Sequence, residues 1–462
     1  MTVQTADNAV VPVERTGNLQ FLRFAEAISI PVGAIIASGL LFAVFLLLIG
    51  KDPLTFYSLV WTGGFGSSFS IQNSLQRAAP LILTGLAFAI PARIGLTMIG
   101  GEGALVLGGF ASAAIAIPLV SGGVPPLLTL PVMALAGIVT GGLWVGFTGW
   151  LKYARGVNET IASLLMSYIA IAIMNFLVEG VLRDPASANK PSTMPIGDAY
   201  RVGSIPGTEV HWGLAAGIVL AIVLWVLMSR TTFGFAARMT GGNLRAARAQ
   251  GLPVGWLMVI CCMIAGGCAG LAGFFEVAAI HGQANASLVA GYGFTGILVA
   301  FLARQNPLAV VPVAILFGAL AAAGGVIQRR MGMPDATILV LQGMLFVVLL
   351  VSDTLYGRFK IFQVKARGIA PEWTTPSSPS SSPCLAAPYA SRPRSCSWHS
   401  VKRSPKNPAA STSGSRAISC SAPWWPTPPP TSPAAHGWAC WRPASPASSS
   451  GRCMAISASC PR

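Results

Sequence analysis

The chain has 462 residues, 53% of them hydrophobic and only 10% charged, with a mean hydropathy of +0.65. Soluble domains carry about 25% charged residues, so this composition excludes a soluble globular enzyme and describes a polytopic membrane protein. The formal charge of +16 does not mark a nucleic-acid binder, because the basic residues gather in the C-terminal part and at the ends of apolar segments, with no aromatic-interleaved basic patch.

Residues up to about Leu22 are polar and mixed in charge. They lack the basic start and short apolar core of a signal peptide. Apolar runs then predict membrane spans near residues 30–50, 76–93, 99–120, 125–151, 161–182, 211–229, 254–276, 288–303, 307–327 and 336–353. The expected fold is therefore an all-α polytopic membrane protein with about ten transmembrane helices. It divides into a cytoplasmic segment 1–27, a membrane domain 28–357 and a basic, Ser/Pro-rich tail 358–462.

Lysine and arginine collect on the cytoplasmic side of membrane proteins. Lys152 and Arg155, then Arg230, Arg238, Arg245 and Arg248, and finally Arg358, Lys360, Lys365 and Arg367 all fall on one side if ten spans are threaded with both termini inside. The loop from Arg183 to Val210 is then extracytoplasmic. Arg329 and Arg330 fall on the wrong side.

Gly100-Gly101-Glu102-Gly103-Ala104-Leu105 interrupts one apolar region, and Gly291-Tyr292-Gly293-Phe294-Thr295-Gly296 does the same later in the chain. Broken helices at matching places in two halves point to a transporter's central site. Glu102 is the sharpest single residue, since an acid in an apolar segment costs about 3 kcal/mol unless it faces water or a partner. It reads equally well as a polar element beside a substrate path or as a helix-start carboxylate favoured by the dipole. Asn158, followed by Glu159, suits a helix cap and first turn. Glu276 and His281 flank a span end, with His281 read as interfacial. Gly266, Gly270 and Gly273 put small residues on one helix face for close packing.

Between two apolar runs lies a basic, acid-free segment, Arg238 to Leu252. Asn243 can cap a short helix over Leu244 to Gln250, and Gly251 can supply its left-handed stop. A structured cytoplasmic helix of this kind suits docking of a soluble partner. Cys261, Cys262 and Cys268 lie in an apolar helix and behave as small hydrophobes, and no cysteine pair has metal or redox spacing. There is no P-loop, no H-E-x-x-H and no Ser/His/Asp cluster in the membrane part, so no enzyme activity is expected.

From about Gly368 the composition changes to Ser, Pro, Arg, Cys and Trp without periodicity. The tryptophans argue against simple disorder. Thr412 to Ala417 can be encoded so that a one-base shift reads Asp/Asn-Ile-Gly-Leu-Glu-Gly, an echo of Ile99 to Gly103. The expectation is that the tail 358–462 is disordered or, after about Ala390, a frame-shifted read of a second, related membrane subunit.

Residues from about 75 to 357 resemble the membrane permease subunit of ATP-binding cassette (ABC) importers of the branched-chain amino acid and simple sugar permease family, and within it the nucleoside-type permeases. The resemblance rests on Ile99, Gly100, Glu102 and Gly103; on Gly156 to Glu159 followed by Ser167 to Ala170; on Thr231 to Phe235 and Gly241 to Leu252; and on Gly291 to Ile297, Asn306 to Leu308, Pro334-Asp335 and Gln342-Gly343. Met98 and Ala104 depart from the family's amides at those places. The resemblance implies a 5+5 inverted-repeat membrane fold in a bacterial inner membrane. It implies a substrate path at Gly101, Glu102, Gly103, Asn158, Gly291, Gly293 and Thr295. It implies a coupling helix for an ATPase at Gly242, Asn243, Arg245, Ala246, Ala247, Arg248 and Gly251. The partners would be two ABC ATPase subunits that hold the ATP, a second permease subunit and an extracytoplasmic substrate-binding protein, with no cofactor on this chain. Simple sugars and branched-chain amino acids are the alternative cargoes. An ion-coupled secondary transporter and a membrane scaffold are the more distant readings.

Overall fold

The structure, a computed structural model, describes residues 16–187 and 190–355, with side chains from Val32 to Ser352 within those ranges. Arg358, Lys360, Lys365, Arg367 and the frame-shift reading of the tail lie outside the described residues. The described residues form thirteen α-helices: α1 (Thr16–Leu48), α2 (Pro53–Phe65), α3 (Ser68–Ala92), α4 (Gly101–Ser121), α5 (Pro126–Arg155), α6 (Glu159–Glu179), α7 (Gly213–Arg230), α8 (Thr232–Gly242), α9 (Leu244–Ala249), α10 (Val254–Phe275), α11 (Tyr292–Leu302), α12 (Pro307–Met331) and α13 (Ala336–Leu355). Among the described residues, seven helices are long and apolar enough to cross a membrane, and three shorter apolar stretches accompany them: Val32–Leu48, Ala286–Leu302 and Ala336–Ser352. Each of the ten expected runs thus has its helix.

Two helix starts and one additional helix differ from expectation. Helix α1 begins at Thr16, and α3 begins at Ser68, where Ser67 caps Ser70 N at 3.1 Å. Helix α2 was not anticipated, because 53–65 has no spanning length. Asp52 starts it by accepting Leu54 N and Thr55 N at 3.1 and 3.0 Å, with Pro53 at the first helical position. Lys51 donates to the carbonyl of Met331 at the end of α12, while Gly64 lies against Ala319, earlier in that helix. Twelve residues of helix rise about 18 Å, so α2 descends from one end of the molecule towards its middle.

The helices share two ends. At one end, Arg93 donates from Nε to the carbonyl of Gln305 at 3.0 Å, Thr160 Oγ1 donates to Thr97 O at 3.0 Å, and Lys152 pairs with Glu159 at 2.7 Å. That end also holds Arg238, Arg245 and Arg248, and its charge is overwhelmingly positive, as a cytoplasmic face requires. At the other end, the loop after α6 runs along the segment after α10. Thr193 N and Ile196 N donate to Ala284 O and Gly282 O, both at 2.9 Å, and Tyr200 Oη donates to Val124 O at 2.9 Å. Arg329 and Arg330 belong to this second end. They occupy the last turn of α12, where the negative end of the helix dipole favours cations. That local interaction accounts for the charges the sidedness pattern left over.

Helices α4, α5 and α10 meet through glycine. A β-carbon on Gly270 would collide with Gly137 O, one on Gly266 with Gly141 O, and one on Gly273 with Leu105 O. The close approach expected for Gly266, Gly270 and Gly273 is therefore present, and each backbone-to-backbone contact leaves no room for a methyl group.

Candidate substrate path and coupling segment

Helix α11 is only 11 residues long, a rise of about 16 Å. Its C-terminal end lies with Gln305 and Arg93 at the basic end, so its N-terminus starts inside the span rather than at a surface. A helix start in the membrane interior leaves backbone N–H groups that water cannot satisfy. Glu102 satisfies two of them. Its Oε1 accepts Gly291 N at 2.8 Å and its Oε2 accepts Gly293 N at 2.5 Å. The carboxylate thus sits at the positive end of the α11 dipole, contributed by the first turn of α4. Thr84 Oγ1 of α3 adds a hydrogen bond to Tyr292 O at 3.0 Å.

This geometry sorts the residues assigned to the path. Glu102 is 0% exposed, with both oxygens engaged, so it braces the start of α11 and lines neither cavity described below. Gly293 must lack a side chain because a β-carbon there would strike the Glu102 backbone. Gly101 lies across from Gly293, a β-carbon on it falling 3.9 Å from Gly293 Cα. Gly103 packs on Ser167 of α6 and lines neither cavity described below. Asn158 is an exposed cap whose Oδ1 accepts Thr160 N and Ile161 N at 3.0 and 3.2 Å. It stands apart from the Glu102 clamp and lines neither cavity described below. Gly291 and Thr295 do line cavity wall.

Two adjoining cavities flank the start of α11. The larger, of about 630 Å³, is walled by Phe88, Phe294, Phe301 and Phe346 together with Thr97, Ile99, Gly291 and Thr295. Phe301 packs on Phe88 at 5.3 Å and on Phe346 at 5.9 Å between ring centroids. The smaller, of about 280 Å³, has a mixed lining: Arg77, Tyr292, Thr295, Asp335 and Gln342 give it polar groups, beside apolar Leu81, Ala321 and Ile338. Thr295 and Gln342 belong to both, and Thr295 Oγ1 lies 3.4 Å from Gln342 Oε1. Phe294 and Gln342 lie in motifs that carry the resemblance, but neither they nor Phe88, Phe301 and Phe346 were assigned to the path. Their convergence from α3, α11 and α13 is a property of packing.

Glu276 is a second buried acid, 2% exposed. It opens a π-helical turn, Glu276–His281, at the end of α10. Its Oε2 lies 3.4 Å from His281 Nδ1, while its Oε1 has no hydrogen-bond partner among the described residues. Hence His281 folds back on its own turn.

The basic segment breaks into two helices at Asn243, where the backbone is extended. Asn243 Oδ1 accepts Arg245 N and Ala246 N at 3.0 and 3.1 Å, and Gly251 has φ +79°, as its cap and stop roles require. Arg245 and Arg248 are exposed on one face of α9, while Ala247 is fully buried in the core. Ala247 is therefore an anchor and not a contact surface. Gly242 is exposed, and Ala246 is half-buried. Next to Gly242, Gly241 packs on the carbonyl of Arg93 so closely that a β-carbon would collide. The half-buried Arg93 guanidinium is held below its usual range, first by burial and then by the charge of Arg238.

A family model described as branched-chain amino acid transport system / permease component matches residues 70–350. The chain is 30% identical over 355 residues to the guanosine ABC transporter permease of Bacillus subtilis, covering 73% of this chain and 97% of that one. It is 31% identical over 342 residues to the glucose ABC transporter permease of Haloferax volcanii, covering 72% and 89%. It is 24% identical over 307 residues to a probable riboflavin import permease of Treponema pallidum, covering 66% and 80%.

Proposed function

The chain belongs to the branched-chain amino acid transport system / permease component family, and we propose that it is the membrane subunit of an ABC importer for nucleosides in a bacterial cytoplasmic membrane. The observation that carries the cargo assignment is the phenylalanine-walled cavity beside the clamped start of α11. Flat aromatic walls suit a nucleobase, whose faces stack at little cost in specificity. The likeness to a guanosine permease supports the same class.

In this reading ATP is bound and hydrolysed on separate ATPase subunits, which dock on Arg245 and Arg248 of α9. A second permease subunit completes the membrane pore, and an extracytoplasmic binding protein delivers substrate to the opposite end. Closure of the ATPases moves α8 and α9. Gly241 passes that movement to the backbone at Arg93, and Arg93 passes it to Gln305 at the foot of α11. Helix α11 carries Phe294 and Thr295, so the cavity wall moves with it.

The test is uptake of labelled nucleosides, with leucine, ribose and glucose as competitors, in cells with and without this gene and its neighbours. Nucleoside uptake that requires both this gene and ATP is expected. Loss of glucose or leucine uptake instead would keep the mechanism and remove the nucleoside assignment.

A further inference from the structure

We infer that the two cavities form one substrate site with two lobes, the aromatic lobe for the nucleobase and the polar lobe for the ribose hydroxyls. The inference rests on the nucleoside reading and goes further by assigning the sugar to named residues.

The lobes meet at Thr295 and Gln342, which line both. A single molecule lying across that seam needs one flat apolar end and one end rich in hydroxyls. The polar lobe carries one cation, Arg77, and one anion, Asp335, beside the Tyr292 hydroxyl and the Gln342 amide. Its formal charges cancel, and it offers both donors and acceptors. That set suits a neutral polyol. A phosphate or a lone carboxylate would meet Asp335 as a like charge. A zwitterionic amino acid could pair with Arg77 and Asp335, but its short aliphatic side chain would leave most of the 630 Å³ aromatic lobe unfilled. Ligand sites usually enclose 70–90% of the ligand surface, so such a mismatch is unfavourable. A free sugar would fill the polar lobe and leave the aromatic one empty. A nucleoside occupies both.

The shape of the site also says how selectivity arises. A pocket built to hydrogen-bond a hydroxyl discriminates strongly against the analogue without it, because its buried polar groups are then left unpaired. The polar lobe should therefore make the transporter prefer inosine over 2′,3′-dideoxyinosine. Gln342 and Arg77 become the residues that set this preference.

The experiment compares uptake of labelled inosine and dideoxyinosine by cells carrying the intact transporter. It uses wild type, Gln342→Leu, Tyr292→Phe and Arg77→Met, with leucine and glucose as competitors. The expected result is a wild-type preference for inosine that falls about tenfold in Gln342→Leu and Arg77→Met. Tyr292→Phe is close to isosteric and is also expected to reduce the preference, so it decides the test if the other variants do not reach the membrane. A preference that survives in every variant reaching the membrane overturns the two-lobed site while leaving nucleoside import intact. Wild-type uptake of leucine or glucose without nucleoside uptake overturns the nucleoside reading itself, and the lobe assignment with it.

Discussion

The Oε1 atom of Glu102 accepts the backbone N–H of Gly291 at 2.8 Å, joining two points 189 residues apart in the chain. One carboxylate from the start of α4 thereby closes the open start of α11. The bond lets a half-length helix begin inside the molecule, beside the cavity that the transport reading uses.

Replacing this carboxylate tests the clamp. Glu102→Gln preserves shape but turns an N–H donor towards a backbone N–H. One charge-assisted bond is lost and a donor faces a donor, a cost of about 2–3 kcal/mol. The expected outcome is a lower thermal unfolding midpoint for the purified protein in detergent, with reduced uptake. Gly293→Ala should act in the same direction, by about 1–3 kcal/mol, since its methyl group collides with the Glu102 backbone. Wild-type midpoints in both variants would remove the clamp from the account.

Charge reversal on α9 tests docking. Arg248 is exposed, and Arg245 shares its face. Arg248→Glu should leave the helix folded, because the Asn243 cap and the buried Ala247 are untouched. Copurification of the ATPase and uptake should both fall, more steeply at low salt than at high salt, because exposed charges are screened. If both survive, α9 is not the docking element.

In the proposed mechanism Arg93 links α8 to the foot of α11. Arg93→Met removes its hydrogen bond to Gln305. ATPase subunits should still copurify and hydrolyse ATP at the basal rate, whereas stimulation of hydrolysis by substrate should drop several-fold. Arg93→Lys, which keeps a donor, should restore part of the stimulation. Equal loss of basal and stimulated hydrolysis would indicate general misfolding and count against transmission through this residue.

His211 predicts a pH dependence. It lies buried in the loop before α7, accepts Gly213 N on Nδ1 at 3.1 Å and stacks on Phe275. Burial holds its pKa below the ordinary 6.5, with the carbonyl of Gln76 opposing in part. The unfolded chain therefore takes up the proton first as pH falls. The stability contribution of neutral His211 is complete above about 6.5 and declines as pH drops through the lower folded-state value. Unfolding midpoints measured from pH 8 to pH 5 should fall more for the wild type than for His211→Gln. Parallel curves would assign the acid sensitivity to other groups.

Local chemistry made much of this protein legible. Ten apolar runs had to become membrane helices, because a backbone in lipid must satisfy its own hydrogen bonds. Asn158, Asn243 and Gly251 act within a few residues of themselves, so their cap and stop roles follow from neighbours alone. Gly266, Gly270 and Gly273 announce close packing because no larger residue permits it. Helix α2 escaped notice because 13 residues of mixed polarity carry no spanning signal. Glu102 was recognisable as an expensive buried acid, but not as a cap, since its partners stand 189 and 191 residues away. Gly103 and Ala247 were assigned to a path and a docking face, yet α6 and the core cover them. Whether a residue in a helix faces a cavity, a neighbour or lipid depends on which helices pack against it. The four phenylalanines and Gln342 line one cavity only through that packing. Short-range hydrogen bonding and hydropathy set the elements; long-range contact alone decided which residues meet.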